Sequence, residues 1–190
     1  MHINKSLLKS CSQGDRRSQH ELYQVSFGTL MGVAMRYHKN REDGMALVNQ
    51  GFLKILNGLE NFLDQHPEDK FEYWSKRIMI NTVIDDHRRN KTHKEVSQAT
   101  DFSEVPIHSE VDWNEAERQL EAEDLFKMLD VLSDLRRRVF NLYAIDGYSH
   151  KEIAEMLSIS EGNSKWHLSM ARAILKEQVQ KVLGIQQKTV

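Results

Sequence analysis

The stretch Ser149–Leu175, SHKEIAEMLSISEGNSKWHLSMARAIL, decides how the rest of the chain is read. Its opening Ser149-His150-Lys151-Glu152 has the pattern of a capping box. A serine hydroxyl accepts from the amide three residues on, while the glutamate reaches back to the serine amide. The short helix so started has Ile153, Ala154 and Leu157 to bury, Ala154 being small where a second helix crosses closely. Ser158-Ile159-Ser160 reads as a turn, with Ile159 as its buried plug and Ser160 as the next N-cap. A second helix is predicted from Glu161 to about Val179. On a helical wheel, Leu168, Ala171, Ile174 and Leu175 fall on one side, and Lys165, Ser169, Arg172 and Lys176 share another. That separation suits a helix fixed by its apolar side, with a basic, hydrogen-bonding side free for a DNA major groove. Trp166 borders the polar side and can pack on a backbone sugar or on protein. Spacing alone leaves open an ordinary amphipathic hairpin with a solvated basic face.

Upstream, three more helical patterns are legible, over about residues 15–38, 42–62 and 71–90. The first places Leu22, Val25, Leu30 and Val33 at spacings of 3, 5 and 3; the second places Leu47, Val48, Phe52, Ile55, Leu56, Leu59 and Phe62 on one face. The third carries a stripe of Trp74, Arg77, Asn81, Asp85 and Arg88. An aromatic ring to stack on a base, an amide to read an edge and guanidiniums to hold phosphates are what opening DNA requires. Two ordinary explanations compete. Tryptophan is more often core than ligand, and the cations of His87-Arg88-Arg89-Asn90-Lys91 are favoured at any helix carboxy-terminus. Asp85 would repel phosphate unless Arg77, Arg88 or Arg89 neutralises it. Downstream, Trp113 to about Leu132 and Asp134 to Ala144 read as helices with Ser133-Asp134 as a cap between them, followed by a turn at Asp146-Gly147. No strand pattern and no internal repeat is seen.

Composition agrees with an all-α chain of two small domains. The 190 residues are 39% hydrophobic and 28% charged, with 26 basic and 28 acidic side chains and a formal charge of −2. Resolved along the chain, the balance is uneven. Residues 1–93 carry 14 Lys and Arg against 11 Asp and Glu, residues 94–133 carry 3 against 11, and residues 134–190 carry 9 against 6. Two basic blocks flanking an acidic middle indicate two domains and a connector. The stretch Glu95–Asp112, without sustained helical period, supports this division into 1–93, an acidic linker over 94–112, and 113–190. A solvated surface linker is the plain alternative to a connector with a binding role. The lone Cys11 excludes a disulfide framework and suits a reducing cytosol. No signal peptide or membrane-length apolar run is visible, so a cytoplasmic protein without membrane insertion is expected. No nucleophile–base pair, metal spacing or phosphate-binding glycine loop stands out, so neither catalysis nor a cofactor or metal is expected.

Taken together, these segments resemble the extracytoplasmic-function sigma factors, the compact initiation subunits of bacterial RNA polymerase. Leu47-Val48-Asn49-Gln50-Gly51-Phe52-Leu53 is similar to their polymerase-binding helix, and Phe71–Asn81 (FEYWSKRIMIN) to the segment that opens the −10 element. Ser149–Leu175 resembles their −35-reading helix-turn-helix. The resemblance implies a region 2-like helical bundle and a region 4-like helix-turn-helix domain, with core polymerase and promoter DNA as partners and an anti-sigma factor as a common third. It implies that Leu47, Val48, Asn49, Gln50, Phe52 and Leu53 dock on the polymerase clamp helices. The loop Asp64, Gln65, His66, Pro67, Glu68, Asp69, Lys70 would form a pocket for a base flipped from the −10 element. Trp74, Arg77 and Asn81 would support strand separation, and Arg88 and Arg89 would hold backbone. Ser160, Gly162, Asn163, Lys165, Trp166, Ser169 and Arg172 would meet the −35 element. The chain departs from the family pattern at Met45, Ala46 and Gln50, where acidic residues are usual. It departs again at Ser158, usually glycine, at Ser164, usually β-branched, and at His167 and Met170, often arginine. Similar connectors thread channels built for RNA, which gives the carboxylates between Asp101 and Asp124 a role to test. The chief alternative is a helix-turn-helix regulator with a helical sensor domain, binding duplex DNA without polymerase. A helical adaptor with no DNA contact requires both polar stripes to be solvated faces.

Overall fold

The computed structural model describes residues 3–91 and 128–182, all of the regular structure among them helical. The chain divides into two compact units, Met1–His93 and Lys94–Val190. The acidic linker, the helix expected from Trp113 as far as residue 127, and the carboxylates between Asp101 and Asp124 lie outside the described residues.

In the first unit, α1 (Lys5–Ser12), α2 (Arg16–Tyr37) and α3 (Arg41–Gln65) precede a single 3-10 turn (Glu68–Lys70) and α4 (Phe71–Lys91). The first three helices each begin at an Asx residue that satisfies an orphan amide. Asn4 accepts from Leu7 at 2.9 Å, Asp15 from Ser18 at 2.8 Å and Asn40 from Glu42 at 2.8 Å. Bonding to Ser18 also holds the Asp15 carboxyl below its usual pKa. Gly14, at φ +85°, makes the tight corner between α1 and α2. The interior is aliphatic and aromatic: Leu8, Leu22, Leu30, Val48, Ile55, Leu59, Phe62, Phe71, Met79 and Val83 are all fully buried. Cys11 lies in this core, and burial pushes its thiol up to about 11, so it is an inert apolar filler. The predicted helices at 15–38, 42–62 and 71–90 are all present. Helix α1 was not anticipated, because eight residues with only Leu8 and Cys11 buried are too short to display a period.

In the second unit, α5 (Asp134–Phe140) runs into a π-helical segment (Asn141–Ile145), followed by α6 (His150–Leu157) and α7 (Glu161–Val182). The helix expected over Asp134–Ala144 therefore exists, with its last turn widened; Asp146 N–H donates to the Asn141 carbonyl at 2.9 Å. Ser133 occupies the N-cap position, but its side chain makes no capping hydrogen bond. Buried Arg137 instead ties the start of this helix to Asp130 at 2.7 Å. The turn at Asp146-Gly147 has Gly147 at φ +76°. Val139, Leu142, Ile153, Leu157, Leu168, Ala171, Leu175 and Val179 form the core.

Candidate nucleic-acid interface

The helix-turn-helix begins with the capping box expected from the sequence. Ser149 N–H donates to Glu152 Oε2 at 2.8 Å, and Glu152 N–H donates to Ser149 Oγ at 3.3 Å. Helix α6 ends at Ser158, whose φ of 55° and ψ of 49° put it in the left-handed region. That conformation explains why glycine suits this position. Ile159 is half-buried rather than a buried plug. Ser160 Oγ accepts from Asn163 N–H at 3.1 Å and so caps α7.

Helix α7 divides as its sequence predicts. Ser164, Leu168, Ala171, Leu175 and Val179 are buried, whereas Ser160, Gly162, Lys165 and Arg172 are exposed and Asn163 and Ser169 half-exposed. Ile174, expected on the apolar side, is half-buried at its edge. Trp166 packs on protein: the Arg136 guanidinium lies 5.4 Å from its ring centroid and the His167 ring meets it edge-on at 4.8 Å. Burial and Arg136 push the His167 pKa down, so this imidazole is neutral at pH 7 and supplies no charge to a phosphate. Tyr143, His150 and Ser164 form a linked cluster. The sequence marks Ser164 as a departure from the family pattern and His150 as part of the capping-box segment, but gives no sign that the two meet or that Tyr143 joins them.

On α4 the expected stripe separates into two kinds of residue. Trp74 is half-buried in an aromatic cluster, 4.6 Å from Phe62 and 5.9 Å from Phe71 between ring centroids. Its ring also covers Gly58 of α3, where a Cβ would approach to 3.0 Å. Arg77, Asn81, Arg88 and Arg89 are exposed. Asp85 pairs with Lys54 of α3 at 3.3 Å. The exposed aromatic of this face is Tyr73, 63% accessible, whose ring lies 5.9 Å from the Arg77 guanidinium. It went unnoticed because the i, i+3, i+4 count from Trp74 passes over position 73.

Residues Asp64 to Lys70 are all exposed. The Gln65 amide donates to Asn61 at 2.7 Å, His66 rests 5.5 Å from the Phe62 ring, and Glu68–Lys70 form the 3-10 turn. This turn borders a half-open cavity of about 270 Å³, lined by Val25, Ser26, Thr29, Glu68, Asp69 and Phe71 among others.

The segment compared with a polymerase-binding helix lies within α3. Leu47, Val48 and Phe52 are buried and hold α3 to the bundle. Asn49 is exposed and accepts from the Tyr23 hydroxyl at 2.7 Å; Gln50 is half-buried; Leu53 is 59% and Met45 43% accessible. Among the described residues, no group of three or more metal-ligating side chains occurs, and no helix is long and apolar enough to cross a membrane.

A model of the ECF sigma factor family matches residues 3–181, which spans both units. The chain belongs to the ECF sigma factor family. It is similar to the ECF RNA polymerase sigma-E factor of Haemophilus influenzae, 22% identical over 188 residues that cover 95% of this chain and 97% of the relative. It is also similar to RNA polymerase sigma factor YlaC of Bacillus subtilis, 26% identical over 170 residues, 87% of this chain and 94% of the relative. Among solved structures, sigma factor RpoE of Bartonella quintana, in complex with the anti-sigma factor NepR, aligns with a TM-score of 0.48. That alignment has 20% identity and covers 88% of this chain and 98% of the other. Membership in the ECF sigma factor family carries the function anticipated from the sequence, promoter-specific initiation by bacterial RNA polymerase.

Proposed function

We propose that this sigma factor divides its work between its two units and performs no catalysis of its own. The first unit docks on core polymerase and opens the −10 element; the second reads the −35 element. The observation that carries this reading is the two-sidedness of α7. Its Ser164, Leu168, Ala171 and Leu175 side is buried while Lys165 and Arg172 stand exposed, in a chain whose family match spans both units.

The docking surface consists of the side chains of α3 that are not used in the core. Met45, Ala46, Asn49 and Leu53 form an exposed line, with Gln50 at its edge. Leu47, Val48 and Phe52 present that line by fixing the helix, and do not touch the partner. Where the family commonly carries carboxylates, Met45 and Ala46 make this contact more apolar. On α4, Arg77, Arg88 and Arg89 hold phosphates, Asn81 reads a base edge, and Tyr73 offers the ring on which an unstacked base rests. Trp74 braces this face from behind. The Asp64–Lys70 loop and the cavity beneath it are the place for an extruded base.

Modest charge predicts weak binding to DNA alone, since affinity scales with the phosphates neutralised. Two weak domains held on one polymerase gain from effective concentration instead. The site of action is the cytoplasm, and an anti-sigma factor that covers the α3 line is the expected inhibitor. Reconstitution of the full chain with core polymerase on promoter DNA tests the proposal. Initiation that depends on both promoter elements supports it; specific duplex binding without polymerase association overturns it in favour of a regulator.

A further inference from the structure

Ser164 is fully buried on the inner side of α7, where its neighbours Leu168 and Ala171 are apolar. A hydroxyl there would be costly without a partner. Its partner is His150 Nδ1 at 2.9 Å, a bond that joins α7 to the first residue of α6. The other side of the matter is the His150 ring, which stacks on Tyr143 at 4.4 Å between centroids with 23° between planes. Tyr143 belongs to the π-helical segment, and the Arg172 guanidinium lies 5.7 Å from its ring centroid. The path Ser164–His150–Tyr143–Arg172 thus starts and ends on α7. It brackets about two turns of the helix that faces DNA.

Burial first, then Lys165 and Arg172, push the His150 pKa down, with Glu161 opposing weakly. The ring is therefore neutral at pH 7. A neutral imidazole stacks on Tyr143 without repelling the cation that shares the same ring. Arginine carries large rotamer entropy, and a residue that orders its guanidinium before binding removes part of that cost.

We infer that Tyr143 and His150, locked by Ser164, are positioning residues that hold the Arg172 guanidinium ready for a −35 phosphate. This rests on the reading that α7 meets the −35 element. Neither residue need touch DNA. The role is to restrict where Arg172 points, and the wide turn of the π segment is what brings Tyr143 under it, a use typical of such segments at functional sites.

A double-mutant cycle on holoenzyme assembled from the full chain tests the inference. Promoter affinity is measured over a salt series for Tyr143→Leu, Tyr143→Phe, His150→Ala, Arg172→Ala and the Tyr143→Leu/Arg172→Ala pair. Arg172→Ala is expected to reduce the slope of log affinity against log salt by about one phosphate contact. Tyr143→Leu and His150→Ala are expected to lose roughly two- to ten-fold in affinity, and Tyr143→Phe, which keeps the ring, to retain it. Tyr143→Leu should cost nothing further once Arg172 is gone. Additive losses, or a Tyr143→Leu holoenzyme as tight as wild type, overturn the positioning role. An Arg172→Ala holoenzyme with unchanged affinity and salt slope overturns the reading of Arg172 as a DNA contact, and the inference with it. Thermal melting of each variant separates a folding loss, which Tyr143→Phe is expected to avoid and His150→Ala, which leaves the buried Ser164 hydroxyl without its partner, is expected to show.

Discussion

Gly51 and Met79 meet at the crossing of α3 and α4 so closely that a Cβ on the glycine would stand 2.8 Å from the methionine sulfur. Met79 is fully buried, so its side chain has little room to retreat. The crossing brings Trp74 over Gly58 and sets the outward angle of Tyr73, Arg77 and Asn81. A Gly51→Ala substitution gains helix propensity of about 1 kcal/mol but overpacks a filled interior at a cost of roughly 1–3 kcal/mol. The net expectation is a loss of about 1 kcal/mol in urea unfolding. Gly28 and Gly32 of α2 are the control, since a Cβ at either meets nothing within 4 Å. Gly28→Ala and Gly32→Ala should each stabilise by about 0.5–1 kcal/mol.

Ser158 offers the opposite case, an L-residue where the backbone favours glycine. Its φ of 55° carries a steric cost of roughly 1–2 kcal/mol. Ser158→Gly removes that cost while adding chain entropy to the unfolded state. A gain of about 1 kcal/mol in the stability of the second unit is expected, measured by thermal unfolding of the full chain. A loss instead would mean that the serine side chain contributes more than the backbone strain removes.

These two sites also mark what the sequence makes legible. The capping box at Ser149 and Glu152, the helices at 15–38, 42–62 and 71–90 and the buried side of α7 follow from local chemistry and periodicity, and all are present. The glycine that the resemblance leads one to expect at Ser158 fits the left-handed backbone found there. What periodicity does not reveal is which residues of an amphipathic face are consumed by packing. Leu47, Val48 and Phe52, which the resemblance assigns to the docking segment, are buried in the bundle, and their apolar character serves packing. Trp74 and Asp85 likewise find their partners on α3, through a tertiary crossing with no local signature. The bond between Ser164 and His150 spans fourteen residues and joins two helices, a pairing no single helical wheel contains.

If the exposed line of α3 is the docking surface proposed above, substitutions on α3 should separate folding from partner binding. Leu47 is 5% accessible, and Leu47→Ala should destabilise the first unit by about 2–5 kcal/mol. Leu53 is 59% accessible, and Leu53→Ala should leave stability within about 0.5 kcal/mol of wild type. The same Leu53→Ala chain should bind core polymerase more weakly in a pull-down or fluorescence titration. Full-strength assembly by Leu53→Ala and Met45→Ala together would remove the exposed line from the docking surface.

The second unit should weaken on mild acidification because its two inward-facing histidines are held neutral. His150 is pushed down by burial, Lys165 and Arg172, and His167 by burial and Arg136. Both have folded pKa values below the unfolded value of about 6.5. Between those values the unfolded chain binds more protons, so stability rises with pH. The contribution is fully present above about pH 6.5 and is lost as pH falls toward the folded values. Urea unfolding from about pH 8 to about pH 5, followed by NMR at the α7 amides, should show the midpoint falling in this window. Glu177, held below its usual pKa by Lys181, acts in the lower carboxylate range and does not produce the effect. A His150→Gln/His167→Gln chain should lose most of the slope between pH 7 and pH 5. An unchanged slope in that variant would place the acid sensitivity elsewhere in the unit.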